Sequence, residues 1–390
     1  MNNNKIFDSD NHYYEQEDAF TRYVPHSMHD RCVKWIYVNN KKRALIGGKL
    51  NYFIKDPSFE FLAKPGAIYK YTYGADDNTK TVKDIISSSI DHKNNFSHSF
   101  YLKDKRTQIK ELNISKVILY PTYGLIIENF LYHDEEALYC TLNGFNKWIL
   151  DEWGFNNKDI FATGCISLVN KDEAIKQLEF LLDNQIRIIN LAPTFVPKKD
   201  YGVSPFSSHY DDFWKLVNDN KIVVGLHEDD SWNIRFSKFW SNESVTSLDL
   251  DNNKLNVLTS NSNFHDFFAN AFTSNFFEKF PQVKFVTSES GSNWVEHLIR
   301  KAHLVMNQNK KIFHTDPLNY FRSNIYVSPF PYEDIYKLKD LIGSDNIVLS
   351  TDFPHAEGSC YPEVFLSSIK NMSQNDIEKI KYSNMNNLLL

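Results

Sequence analysis

Cysteine is scarce in this 390-residue chain, and the four present (Cys32, Cys140, Cys165 and Cys360) never fall into Cys-x-x-Cys spacing. That excludes a disulfide frame or a zinc knuckle and predicts reduced, mostly buried thiols in a cytoplasmic protein. Long apolar runs are missing too: none approaches the roughly 18 residues that cross a bilayer. The opening Met1-Asn2-Asn3-Asn4-Lys5 leads into a strand-like segment without the apolar core of a signal peptide, in keeping with a cytoplasmic location. Positive charge is not in excess, since 43 Lys and Arg against 49 Asp and Glu leave a net −6. There is no dense basic cluster with interleaved aromatics, so nucleic-acid binding by counterion displacement is excluded. Internal repeats and low-complexity linkers are absent, and one domain is expected, of a length that α/β barrels often reach.

What the chain does have is alternation. Short β-type runs occur at 5–12, 116–120, 160–168, 186–191, 222–227, 283–288, 324–328 and 346–350. Between most of them lie amphipathic stretches, at 171–184, 209–220 and 332–342 among others, with apolar residues at helical spacing. Strand and helix in alternation call for a parallel sheet, and eight units predict a closed (β/α)8 TIM barrel. Two stretches break the pattern. Residues 39–107 form an insertion after strand one, hairpin-like over 43–67, and 229–260 form a polar, irregular stretch after strand five. Both leave from strand carboxyl ends, where barrel enzymes keep lids and substrate loops.

The strand ends are polar in a chemically coherent way. Strand one closes with Asp10-Asn11-His12, strand five with His227, strand six is followed by Glu289 and strand eight by Asp352. Residues two apart on a strand face one side, so Asp10 and His12 can share one cation, which His227 and Asp352 reach only if the barrel closes. Imidazoles with carboxylates suit one divalent metal, Zn²⁺ foremost, with Fe²⁺, Co²⁺ and Mn²⁺ as alternatives. Each residue also has an ordinary role open to it. His227 fits a hydrogen-bonded core histidine, Asp352 a turn or helix cap, and Glu289 a surface ion pair. All of these must hold together to remove the site.

The stretches Phe7-Asp8-Ser9-Asp10-Asn11-His12-Tyr13-Tyr14-Glu15, Val286-Thr287-Ser288-Glu289-Ser290-Gly291-Ser292-Asn293-Trp294-Val295 and Ser350-Thr351-Asp352-Phe353-Pro354-His355-Ala356-Glu357-Gly358 stand out. Together they resemble amidohydrolase family 2, the branch of the metal-dependent hydrolases that includes aminocarboxymuconate-semialdehyde decarboxylase and related decarboxylases, hydratases and hydrolases. The resemblance runs nearly end to end, to Asn384, and implies that Asp10 and His12 stand for the family's strand-one H-x-H. It matches His227 to the strand-five histidine and Asp352 to the strand-eight aspartate. Asp10 departs from the commoner histidine, and Glu289 replaces the strand-six histidine that assists proton transfer in the decarboxylase. The carboxylated lysine that bridges two metals in binuclear relatives has no counterpart in Ile186-Arg187-Ile188-Ile189-Asn190-Leu191, so one metal is expected.

The expected activity is therefore a metal-dependent hydrolase acting on an amide, ester or lactone carbonyl through an activated water. Asp352 serves as ligand or base, and Glu289 as a proton shuttle or a fifth ligand. The alternative chemistry is non-oxidative decarboxylation of an aromatic or unsaturated acid, and the alternative of another class is a non-catalytic ligand-binding barrel. His355 and Glu357 are candidate substrate contacts, with Arg22 and Arg235 as candidate holders of a substrate carboxylate. A homodimer is compatible with the family, and the expected partner is a small-molecule substrate with no role for nucleic acid or a membrane.

Overall fold

Strand one, Phe7–Tyr13, pairs in parallel with strand two, Lys116–Pro121, which pairs in turn with the first half of strand three, Ile160–Ala162. Strand three breaks at Thr163 and resumes as Gly164–Cys165 beside strand four, Ile188–Leu191. Strands five (Val223–His227), six (Lys284–Ser288) and seven (Ile325–Tyr326) follow, all parallel. Residues 347–353 act as strand eight and close the circle: Val327 bridges Ile347, and Phe353 bridges Asn11 of strand one. Backbone bonds of 2.9 Å from the Ser9 amide to the Leu349 carbonyl and from the Asp352 amide to the Asp10 carbonyl secure the seam. This is the TIM barrel expected from the alternation. The computed structural model describes residues 5–54, 57, 63–74, 84–85, 99–229, 231–232, 258 and 262–390. The irregular stretch 229–260 lies almost wholly outside the described residues.

The alternation of side chains sorts the strands into two apolar layers. Phe7, Ile118, Phe161, Ile188, Val223, Val286 and Val348 point inward as one cluster, onto which Met385 and Leu389 of the last helix, Asn384–Leu389, also pack. Their neighbours Val117, Leu119, Ile189, Val224, Leu226, Phe285 and Leu349 point outward to the helices. Helices Lys171–Asp183, Asp211–Asp219 and Ile335–Ile342 form where the apolar spacing places them. Asn170 caps the first by accepting from the amides of Asp172 and Glu173, which stabilises such a helix by about 1 kcal/mol.

Strand one carries an irregularity that matters for the site. Phe7 lies in the inner layer, and Asp10, three residues on, would face outward in a regular strand. The register against strand two shifts between Asp8 and Asn11, the signature of a bulge. The extra residue resets the parity, so Phe7, Asp10 and His12 all face the interior.

The insertion begins with an antiparallel meander, Val33–Val38, Lys41–Ile46 and Lys49–Asn51, which starts upstream of residue 39. The amides of Gly66, Ile68 and Tyr69 then donate to the carbonyls of His355 and Ala356, tying the start of helix Ala67–Gly74 to the loop after strand eight. Helix Leu102–Glu111 leads from the insertion into strand two.

Candidate metal centre and active site

The bulge and the barrel closure bring Asp10, His12 and His227 to one point, with Asp352 beside them. His12 Nε2 lies 3.0 Å from His227 Nε2, 3.2 Å from Asp10 Oδ1 and 3.5 Å from Asp352 Oδ1, and His227 Nε2 lies 3.5 Å from Asp10 Oδ1. The backbone decides which nitrogens face inward. His12 Nδ1 donates to the Pro121 carbonyl at 3.1 Å, and His227 Nδ1 donates to the Glu228 carbonyl at 2.8 Å. Each ring therefore turns an Nε2 lone pair toward the other, an arrangement that repels unless a proton or a cation lies between them. Burial, reinforced by the His355 charge, pushes His12 down to about 3, so it is the neutral one. For His227, burial is outweighed by the Asp10 carboxylate, and the ring rises to about 9. Burial opposes the charge on Asp10, but His227 and His12 overcome it and hold the carboxyl below its ordinary range.

Both Asp10 oxygens are buried, yet neither receives a hydrogen bond of good geometry, although both imidazoles are at ion-pair distance. A buried carboxylate left this way is costly, and a divalent cation satisfies it together with the two facing lone pairs. Asp10, His12 and His227 form one donor group that fits a transition metal, and Asp352 joins His12 and His355 in an overlapping one.

A second group of side chains stands against the first. His355 Nδ1 donates to Asp352 Oδ1 at 2.7 Å, and its ring lies 4.2 Å from that of His12. Glu289 Oε2 is 3.9 Å from His227 Nε2, and the Glu289 and Asp352 carboxyls hydrogen-bond to each other. Burial, then the Asp352 charge, holds Glu289 well above the ordinary glutamate range. Asp352 is likewise held above the ordinary aspartate range by burial, then by the Asp10 and Glu357 charges, so the pair retains protons that an exposed pair would lose. Glu357, exposed at the rim, offers an oxygen within 4.8 Å of ligand atoms of Glu289 and His355. Glu289 and Asp352 both adopt left-handed backbone, at φ 55° and 53°. Such conformations cost of order 1–3 kcal/mol and gather at functional sites. Gly358 is required beside them, because a Cβ there would meet the Asp352 carbonyl oxygen at 2.7 Å.

The two candidate arginines fare differently. Arg22 gives its guanidinium to Asp18 and Glu152, each at 2.7 Å, and sits in this surface ion-pair cluster instead of with the site carboxylates. Arg235 lies outside the described residues. Two further polar residues, Tyr120 and Asn190, stand in the barrel interior. Tyr120 faces inward from strand two, its ring 5.0 Å from that of His227. Asn190 follows inward-facing Ile188 by two on strand four and keeps a buried, unpartnered Oδ1. Strand parity was the available signal for both: each lies two residues beyond an inward apolar residue.

Residues 129–385 match the family model described as amidohydrolase. Among solved structures, an amidohydrolase from Mycobacterium avium subsp. paratuberculosis K-10 is similar over 100% of both chains, with a TM-score of 0.91 at 27% identity. A 2,6-dihydroxybenzoate decarboxylase complexed with 2,6-dihydroxybenzoate matches 85% of this chain and 97% of its own, with a TM-score of 0.59 at 14% identity. A dihydroxybenzoic acid decarboxylase from Polaromonas sp. JS666, with bound manganese and 2-nitroresorcinol, matches 83% and 92%, with a TM-score of 0.58 at 16% identity. At those identities the two decarboxylases share the fold. No curated protein matches the sequence.

Proposed function

Since the chain belongs to the amidohydrolase family and is a metal-dependent enzyme of that superfamily, we propose that it is a hydrolase of a small amide, ester or lactone. The observation that carries the reading is the hydrogen-bonded Glu289–Asp352 carboxyl pair set against the Asp10, His12 and His227 cluster. Two neighbouring carboxyls that burial holds above their ordinary range can supply an acid and, on losing a proton, a base, both of which carbonyl hydrolysis needs in a single turnover.

In this reading Asp10, His12, His227 and Asp352 hold one divalent ion, which when bound polarises a carbonyl oxygen and lowers the pKa of water. Zn²⁺ is the first choice from the ligand types, and the manganese of the Polaromonas protein makes Mn²⁺ the first alternative. Asp352 accepts the proton of the attacking water at the oxygen not engaged by His355, and His355 Nδ1–H keeps that carboxylate oriented. Glu289 delivers its proton to the leaving atom. Glu357 contacts the substrate at the rim, and Tyr120 packs its ring against His227 from strand two.

A second reading rests on the same Glu289 proton, which equally serves protonation of a ring carbon losing CO2. The test separates the two. Metal-loaded protein is offered lactones, esters, amides and hydroxybenzoic acids, with acid products and CO2 both measured. The expected outcome is carbonyl hydrolysis, with Glu289→Gln lowering kcat by about 10²–10⁴-fold. CO2 as the sole product would replace the hydrolase with a decarboxylase.

A further inference from the structure

Behind the metal cluster stands a lysine with no solvent exposure. Lys105, on helix Leu102–Glu111, is 0% exposed. Its Nζ donates to Asn11 Oδ1 and to the His12 carbonyl, both at 2.8 Å, and lies 5.4 Å from the centroid of the Phe353 ring. Asn11 Nδ2 passes the link on to Asp8 Oδ2 at 2.9 Å. Asp8 then receives the Thr351 amide at 2.9 Å and the Thr351 hydroxyl at 2.7 Å. One chain of hydrogen bonds, Lys105–Asn11–Asp8–Thr351, thus joins the helix that ends the insertion to strands one and eight.

We propose that Lys105 is a positioning residue for the metal centre, an inference that rests on the assignment of Asp10, His12, His227 and Asp352 as its ligands. The members of the chain alternate with those ligands: Asp8 and Asn11 flank Asp10, Asn11 adjoins His12, and Thr351 adjoins Asp352. The backbone ladder is irregular at this place. Strand one is bulged between Asp8 and Asn11, and strand eight meets it through the Ser9–Leu349, Asp352–Asp10 and His12–Phe353 backbone hydrogen bonds around one isolated bridge, Asn11 to Phe353. Side chains reinforce this irregular seam. Fully buried lysines are rare because the ammonium loses its hydration, and an apolar side chain of equal length fills the same volume without that cost. What the ammonium adds over such a side chain is direction. It fixes the His12 peptide unit and the Asn11 amide, and through Asp8 it fixes Thr351, so three of the four ligands are held from behind. Outer supports of this kind typically govern metal affinity by about 10–100-fold.

The test uses the full chain, stripped of metal and titrated with Zn²⁺ and with Mn²⁺, comparing wild type with Lys105→Met, whose fold is checked by circular dichroism and thermal melting. The expected result is a folded variant whose metal Kd is weakened about 10–100-fold. A variant with a lower melting temperature and an unchanged metal Kd overturns the proposal, since a purely structural lysine gives that pattern. Should Lys105→Met fail to fold, Asn11→Ala leaves the ammonium on the His12 carbonyl and cuts the link to Asp8. A weakened Kd in Asn11→Ala supports the proposal, and an unchanged one removes it. Wild-type protein that binds neither ion removes the metal centre and this proposal together, whereas wild-type binding with an unaltered Lys105→Met Kd removes this proposal alone.

Discussion

At the scale of the residue, Glu15 shows how burial and backbone donors compete over one carboxyl. Its Oε1 accepts from the amides of Thr122, Tyr123 and Gly124 at 3.1, 2.8 and 2.8 Å, joining the end of strand one to the end of strand two. Burial raises the group from its ordinary 4.5 to about 7, against the pull of those amides. A raised acid keeps its proton in the folded chain while the unfolded chain loses it, so stability falls as pH rises through that window. Glu15→Gln cannot titrate. Between about pH 5 and about pH 7.5, wild type is expected to lose unfolding free energy relative to Glu15→Gln, measured by urea denaturation at each pH. A constant difference would mean that the amides keep the carboxylate charged throughout. His12, His227 and Asp352, which the structure brings close together, were picked out in the sequence because each is a polar residue at or just beyond the carboxyl end of a strand-like segment. Lys105 was not, because its place in an amphipathic helix marks a lysine for solvent, and only the bulged strand behind it provides partners.

At the scale of the element, strand five illustrates how one small residue makes room for the site. Val223, Gly225 and His227 share the inner face, and a Cβ at Gly225 would stand 2.5 Å from the Tyr120 hydroxyl oxygen. Tyr120 reaches across the barrel under the histidines, its hydroxyl 3.4 Å from Ser288 Oγ, and a glycine on the opposite strand lets it do so. Gly225→Ala is expected to destabilise the protein by about 1–3 kcal/mol through overpacking, read as a lower urea midpoint at unchanged slope. A neutral result would mean that Tyr120 is free to tilt. The positions of the strands could be taken from the sequence because short apolar runs end at polar or proline residues, as at Pro121. The bulge in strand one could not, since Asp-x-His reads the same with or without a register shift.

At the scale of the whole molecule, the cation and the barrel closure depend on each other. The proposed ligands come from strands one, five and eight, so a bound ion cross-links distant parts of the chain and stabilises only the closed form. Metal at a hundredfold excess over its Kd is expected to add about 2.7 kcal/mol to the unfolding free energy. His227→Ala should show no such gain, and elemental analysis should find near one metal per wild-type chain, lost in that variant. Equal urea midpoints for stripped and loaded wild type would argue against a centre spanning three strands. Among the described residues no helix is long and apolar enough to cross a membrane.

The sequence by itself determined the eight strands, their parallel order and the residue types available for a metal, because hydrophobic periodicity and polar strand ends are local properties of the chain. The tertiary structure alone decided which of those residues meet. Barrel closure carries Asp352 to His12, the bulge turns Asp10 inward, and two backbone carbonyls set the imidazole tautomers. The same packing commits Arg22 to Asp18 and Glu152, and brings Lys105 from beyond the insertion to the back of the centre. These are contacts between residues up to 340 positions apart, and local spacing carries no information about a distance that only the closed barrel creates.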